Sequence, residues 1–314
     1  MIMKQLYHIE PVFTEALWGG QQLIEKYGYQ TDLANIGECY NVIAMPSHLD
    51  CTVTETQEPL SHFYDTHREL FNCDTEIMPV RAAMSCTRAP MSVQIHPDNA
   101  YAMAHDGRLG KPDGVYVLDG EGSVVFGHFA RTRREFQSLV EEQRWDQLLR
   151  YIPVKAGDFL DMPFGTLHAL GAGLTFFEFS QNSDLTYRLY DYDRTMLDPK
   201  TGKPRVLHQE KVIECVNIPD AERKPALQKA WTTKGCEIHE LHNEPGLYTC
   251  GRIDVAESGT YKREEFYFLT CIEGEGTIQD TYIKGGETVF VPCHYGELTI
   301  TGTLSLTYVT YIKP

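Results

Sequence analysis

Two β-hairpin signatures occur twice in the same order, and this duplication restricts the possible folds more than any other feature of the chain. In the first half they read "VYVLDGEGSVVFG" (115–127) and "VKAGDFLDMPFGTLH" (154–168). In the second half they read "LTCIEGEGTIQD" (269–280) and "IKGGETVFVPCHYGE" (283–297). Gly157, Asp158 and Pro163 match Gly286, Glu287 and Pro292 at an offset of 129, and Gly120 and Gly122 match Gly274 and Gly276 at an offset of 154. Strand, glycine-rich turn, strand, then a Gly-Asp or Gly-Glu turn and another strand is how a small antiparallel barrel of the jelly-roll kind reads. The chain is therefore expected to be mainly β, with two such barrels.

The difference in offsets leaves about 25 extra residues between the signatures of the first copy. In that stretch, about 127–151, Phe136, Leu139, Val140, Trp145, Leu148 and Leu149 recur at helical spacing. They predict a helix or helix pair, capped by Thr132 or Ser138. Helical pattern also falls at 14–26 and 59–71, so the first barrel is decorated with helices. Residues 220–232 are charged and interrupted by Pro225, the mark of a linker. The expected domains are 1–219 and 233–314. Applying the repeat offset places Glu297 where the first copy has His168, and the second copy has no Gln-x-His before its glycine turn. The first copy is expected to hold a site and the second to be structural.

The chain is long enough, at 314 residues, for two ordinary domains with sizeable cores. Its formal charge of -16 argues against a general nucleic-acid surface, which needs a basic stripe. A local cationic pocket for an anionic metabolite stays open. The start, "MIMKQLYHIEPVF", has no apolar core of signal-peptide length, and no apolar run is long enough to span a bilayer. A cytoplasmic location, with no nucleic-acid or membrane partner, is the expectation; nothing in the sequence speaks to oligomeric state. Nine cysteines, an odd number with no C-x-x-C, suggest neither a disulfide framework nor a cysteine zinc site.

The chemistry concentrates in "MSVQIHPDNA" (91–100). Period-two alternation puts Ser92, Gln94 and His96 on one side of a strand and Met91, Val93 and Ile95 on the other. Inward polar groups in a barrel either line a cavity or destabilise it. His168 ends "GDFLDMPFGTLH", whose strand faces the same interior, and Asp113 begins the strand "DGVYVL" between them in sequence. One amide oxygen, two imidazoles and one carboxylate form a ligand set suited to a divalent metal such as zinc, with positions open for substrate.

Seven stretches carry a resemblance: "LWGG" (17–20), "IGECYNV" (36–42), "HRELF" (67–71), "SVQIHPDNAYA" (92–102), "GKPD" (110–113), "GTLHAL" (165–170) and "QNSDLTYRLYDYDR" (181–194). Together, in this order, they resemble the type I mannose-6-phosphate isomerases, the short bacterial branch of the cupin superfamily. The resemblance implies two cupin-like barrels, and zinc held by Gln94, His96, the acidic residue of "GKPD" and His168. It also implies that Arg188 is the active-site arginine and that a phosphorylated sugar is the substrate. Such an enzyme moves a proton between adjacent carbons through an enediolate, whose negative charge a metal and an arginine can steady. Lys111 is a candidate phosphate anchor, and Glu178 and Lys155 are candidates for the proton shuttle. Asp184, Tyr187 and Asp191 are candidates to orient Arg188.

Two features depart from the family pattern. Asp113 stands where glutamate is usual, and its shorter side chain requires an inward strand shift, which Gly114 could permit, or a bridging water. The stretch "MPVRAAMSCTRAP" stands where a lysine-bearing strand and an acidic turn are usual. Two other classes remain open on the residues. A sugar-phosphate binding or regulatory protein would bind substrate without turnover, and an iron oxygenase would consume oxygen through a two-histidine, one-carboxylate triad.

Overall fold

The computed structural model describes residues 5–198 and 202–314. Two antiparallel sheets of the N-terminal half face each other. One runs, in spatial order, Phe159–Met162, Asp113–Asp119, Thr175–Gln181, Val80–Cys86, Glu38–Val42 and Val12–Thr14. The other runs Leu149–Lys155, Glu121–His128, His168–Ala169, Val93–Ile95 and Tyr187–Tyr190.

Alternation along these strands divides the space between the sheets into two zones. The inward residues of Asp113–Asp119 are Asp113, Val115 and Val117, and those of Thr175–Gln181 are Phe176, Glu178 and Ser180. Val115, Val117 and Phe176 pack with Val124, Phe126, Leu160, Met162 and Leu170 into one buried apolar cluster. Asp113, Glu178 and Ser180 lie beyond it in a polar zone. Each fully buried apolar side chain of this plug contributes about 1.5–3 kcal/mol, so the apolar half can support a strained polar half. The outward faces are also covered. Val93, Ile95, Ala169 and Leu189 pack on the helical insertion, while Ala82, Met84, Phe177 and Phe179 pack towards Phe266, Phe268 and Phe290 of the C-terminal sheet.

The insertion is a helix pair, Arg133–Glu141 and Trp145–Leu148, with Thr132 Oγ1 accepting from Glu135 N at 3.2 Å. Phe136, Val140 and Leu148 are fully or nearly fully buried, as the spacing requires. At 59–71 two short helices form, Leu60–Thr66 and Arg68–Phe71. At 14–26 only Gln22–Tyr27 is helical. There Trp18-Gly19-Gly20 is a packing corner: a Cβ on Gly19 would lie 2.8 Å from Gly37 N.

The repeat holds in atomic detail. Gly157 N donates to Val117 O at 2.9 Å and Gly286 N to Cys271 O at 2.8 Å. Val117 N donates to Asp158 O and Cys271 N to Glu287 O, both at 2.9 Å. Ala156 N donates to Gly120 O at 2.9 Å and Gly285 N to Gly274 O at 3.0 Å. Gly120, Gly157, Gly274 and Gly286 all have φ between 75° and 92°, a region that favours glycine and so accounts for their recurrence. In pairing register Asp113 corresponds to Tyr267 and Glu178 to Tyr308, so the second unit fills the polar positions of the first with aromatic rings.

The C-terminal sheet has eleven strands and takes in part of the N-terminal half. Tyr7–Glu10 pairs with Thr288–Val291, followed by Thr52–Val53 and Glu58–Pro59. The end of the expected linker forms the strand Lys229–Thr233 at its other edge. All nine cysteines are free. Among the described residues, no helix is long and apolar enough to cross a membrane.

Gly114 does not serve to shift its strand. Its pairing with Asp161 and Phe179 is regular, and the irregularity of this strand falls later, between Val117 and Asp119. A Cβ at Gly114 would lie 2.7 Å from Phe159 Cζ and 2.9 Å from Tyr248 Oη. The glycine is there because the C-terminal sheet packs this closely. Gly114→Ala is expected to lower stability by about 1–3 kcal/mol through overpacking, read as a lower denaturation midpoint at unchanged m-value.

Candidate metal centre and its cavity

Strand pairing builds the centre from two facing rows. His168 pairs with Gln94 and Gln94 with Arg188, so these three stand side by side on one face of the five-stranded sheet. Asp113 pairs with Ser180 and Ser180 with Arg81 on the opposing sheet. Gln94, His96, Asp113 and His168 are all buried. His96 Nε2 lies 3.0 Å from Asp113 Oδ2, and His168 Nε2 lies 3.8 Å from the same oxygen. The ring centroids of His96 and His168 are 5.1 Å apart. Asp113 reaches both imidazoles from a regular strand, although its side chain is one methylene shorter than glutamate.

The protonation pattern calls for a cation. His96 Nδ1 is 2.7 Å from Leu185 O, and His168 Nδ1 is 2.9 Å from Thr166 O. A carbonyl only accepts, so both Nδ1 atoms carry protons and donate, which turns both Nε2 atoms towards the Asp113 carboxylate. An imidazole that has given up its second proton presents a metal-ligating lone pair there. Burial, followed by the charge of His96, pushes His168 down to about 4, so its ring is neutral near pH 7. Burial alone would raise the Asp113 carboxyl, but Lys111 and then His96 outweigh it and hold it below the usual carboxylate range. Gln94 Nε2 lies 3.5 Å from His168 Nε2, and Ser92 Oγ lies 3.1 Å from Gln94 Oε1. A hydroxyl both donates and accepts, so reversing the amide keeps the Ser92 contact and turns the carbonyl oxygen to the centre. Among the described residues, His96, Asp113 and His168 form the one cluster of histidine, cysteine and carboxylate ligands, with donor atoms within 4.8 Å of one another. The donor set fits a divalent metal.

A cavity of about 850 Å³ opens above this floor, lined among others by Trp18, Tyr40, Gln94, Lys111, Glu178 and Arg188. Lys111 Nζ lies 3.0 Å from Asp113 and 2.9 Å from Glu178 Oε1, so this amine is already engaged by two carboxylates. Arg188 and Arg205 line the cavity wall. Burial, then repulsion from Arg205, lowers the pKa of Arg188. Its guanidinium makes no hydrogen bond with any described residue, which leaves it available to an anion. Arg205 is held by Asp191 and Asp198, and Glu38 and Glu178 also line the cavity, so its wall is mixed in charge.

The other candidates scatter. Lys155 is exposed, on a turn closed by Asp158. Asp184 binds His48 and Arg108, Tyr187 donates to Asp106, and Asp191 holds Arg194 and Arg205, so none of the three orients Arg188. Sequence reasoning did not anticipate Arg81, Glu38, Arg205 or His208 in the cavity wall. Arg81, a charge in an otherwise apolar strand pattern, is the one that carried a signal.

Fold and donor set together define a mainly β, cupin-type protein with an internal site for a divalent metal beneath a polar cavity. No family model matches the chain. Among curated proteins, the mannose-6-phosphate isomerase ManA of Bacillus subtilis is 33% identical over 308 residues, covering 93% of this chain and 95% of its own. The mannose-6-phosphate isomerase of Streptococcus mutans is 34% identical over 302 residues, covering 90% and 92%. The crystal structure of the mannose 6-phosphate isomerase from Bacillus subtilis superposes with a TM-score of 0.91 at 31% identity, covering 97% of this chain and 99% of that one. A zinc-bound mannose 6-phosphate isomerase shares the fold, with a TM-score of 0.76 at 16% identity. The chain belongs to the mannose-6-phosphate isomerase family.

Proposed function

We propose that this protein interconverts mannose 6-phosphate and fructose 6-phosphate, using zinc held by Gln94, His96, Asp113 and His168. The observation that carries the reading is the clustering of two imidazoles and a buried carboxylate beside Gln94, under a cavity whose wall presents a guanidinium that makes no hydrogen bond with any described residue. A bound divalent metal supplies Lewis acidity to the substrate oxygens and steadies an enediolate. Two nitrogen and two oxygen donors suit zinc, and a solved isomerase of the same fold is zinc-bound.

The remaining chemistry falls to side chains. Glu178 opens on the cavity and takes the C-2 proton, returning it to C-1 on the same face. Lys111 sits beside it and serves the hydroxyl proton that passes between the two oxygens; its engagement with Asp113 and Glu178 moves the phosphate-anchor role to Arg188, whose planar fork matches a phosphate bidentately. On the two-barrel reading, divided by a linker at 220–232, all of these groups belong to the first barrel, and the outward face of its six-stranded sheet packs on the C-terminal sheet.

A coupled assay of mannose 6-phosphate conversion tests the reading on protein stripped by chelator and reloaded with zinc. Activity should vanish and return. Confirmed zinc loading with no turnover would replace the isomerase by a sugar-phosphate binding protein. Arg188→Met is expected to raise KM for mannose 6-phosphate about 10- to 100-fold, the equivalent of about 1.5–3 kcal/mol for hydrogen bonds to a charged group, with metal content unchanged.

A further inference from the structure

Arg81 is 2% exposed, in the middle of the sheet that carries Asp113. A buried guanidinium needs its charge met, and here both terminal nitrogens are engaged. Nη1 donates to Glu178 Oε1 and, at 3.3 Å, lies near Ser180 Oγ; Nη2 donates to Glu38 Oε1 at 3.1 Å. The guanidinium also sits over the Tyr40 ring, 4.9 Å from its centroid.

The register shows how unusual this reach is. Glu178 stands directly opposite Ala83, whereas Arg81 is opposite Ser180. Arg81 and Ala83 share a face, so the guanidinium runs along its own strand across Ala83 to meet the carboxylate. A side chain larger than alanine at 83 would stand in that path. Lys111 Nζ meets the same Glu178 oxygen, Oε1, at 2.9 Å. Glu178 Oε2 makes no hydrogen bond with any described residue, and the residue lines the cavity.

We propose that Arg81 is a positioning residue for the isomerisation. It anchors Glu178 Oε1 jointly with Lys111, so that Oε2 faces the substrate in one fixed orientation. A free glutamate side chain samples many rotamers, and two charged anchors on one oxygen remove most of them before substrate arrives. The inference rests on the isomerase reading. It adds a residue that makes no hydrogen bond with a proposed metal ligand and acts through Glu178.

Arg81→Met and Arg81→Lys, assayed for kcat, KM and metal per chain beside the unaltered protein, test it. Arg81→Met should lower kcat about 10- to 100-fold, as a misplaced reacting group does, with KM within about threefold and full metal content. Arg81→Lys should recover part of kcat, because an ammonium can meet one carboxylate of the two. Ala83→Val keeps both charges but obstructs the path between them, and should show the same kcat-specific loss; it decides the matter if Arg81→Met does not fold. Unchanged kcat in a folded Arg81→Met or Ala83→Val variant overturns the role of Arg81 alone. So does a loss in which metal content falls in step with activity, as a purely structural role would give. An inactive, fully metallated parent overturns the isomerase reading and this inference with it.

Discussion

His96→Ala should yield a folded protein that retains no stoichiometric metal and turns over mannose 6-phosphate about a thousandfold more slowly, the rate equivalent of the several kcal/mol that a Lewis acid contributes. Folding should survive because the apolar plug formed by Val115, Phe126 and Phe176 is left intact. Asp113, 3.0 Å from His96 Nε2, keeps Lys111 as a partner when His96 is removed. Metal measured by elemental analysis is the primary check. Thermal melting is the second: chelator should lower the midpoint of the parent, which loses the stabilisation of a bound ligand, and leave that of His96→Ala where it was. Stoichiometric metal in His96→Ala and in His168→Ala would remove the proposed centre.

Glu178→Gln should separate chemistry from metal binding. The substitution keeps the shape of the side chain and its contact with Arg81 while abolishing the carboxylate base, so kcat should fall about 10²- to 10⁴-fold, the span usual for a lost general base. Metal content and KM should stay near those of the parent, since Gln94, His96, Asp113 and His168 are intact. The contrast matters because Lys111 connects the two groups, bonding Asp113 and Glu178 together. If Glu178→Gln sheds metal, Glu178 supports the centre through Lys111 and the proton shuttle lies elsewhere.

The candidate ligands were legible in the sequence because each sits on a pattern that local physics enforces. Gln94 and His96 are two apart on a strand, and period-two alternation alone puts them on one face. His168 follows a turn whose Gly157 must take a positive φ, and the same turn recurs at Gly286. The role of Gly114 was not legible, because the atoms it makes room for belong to Phe159 and Tyr248, one of them in the C-terminal sheet. Likewise Lys111 read as a phosphate anchor until its two carboxylate partners came into view.

What the sequence by itself determined, then, is periodicity and turn chemistry: a mainly β chain, a duplicated hairpin unit and a helix pair inserted in the first copy, which also carries the four candidate ligands. The tertiary structure alone decided which groups meet. Arg81 is 97 residues from Glu178 and Lys111 is 67 residues from it, yet all three share one oxygen. Tyr7–Glu10 pairs with Thr288–Val291, near the other end of the sequence. The physical reason is that alternation specifies the face of a strand but not its neighbour. Partnering between distant strands is set by register and sheet order, which emerge only when the apolar faces of the whole chain are buried together.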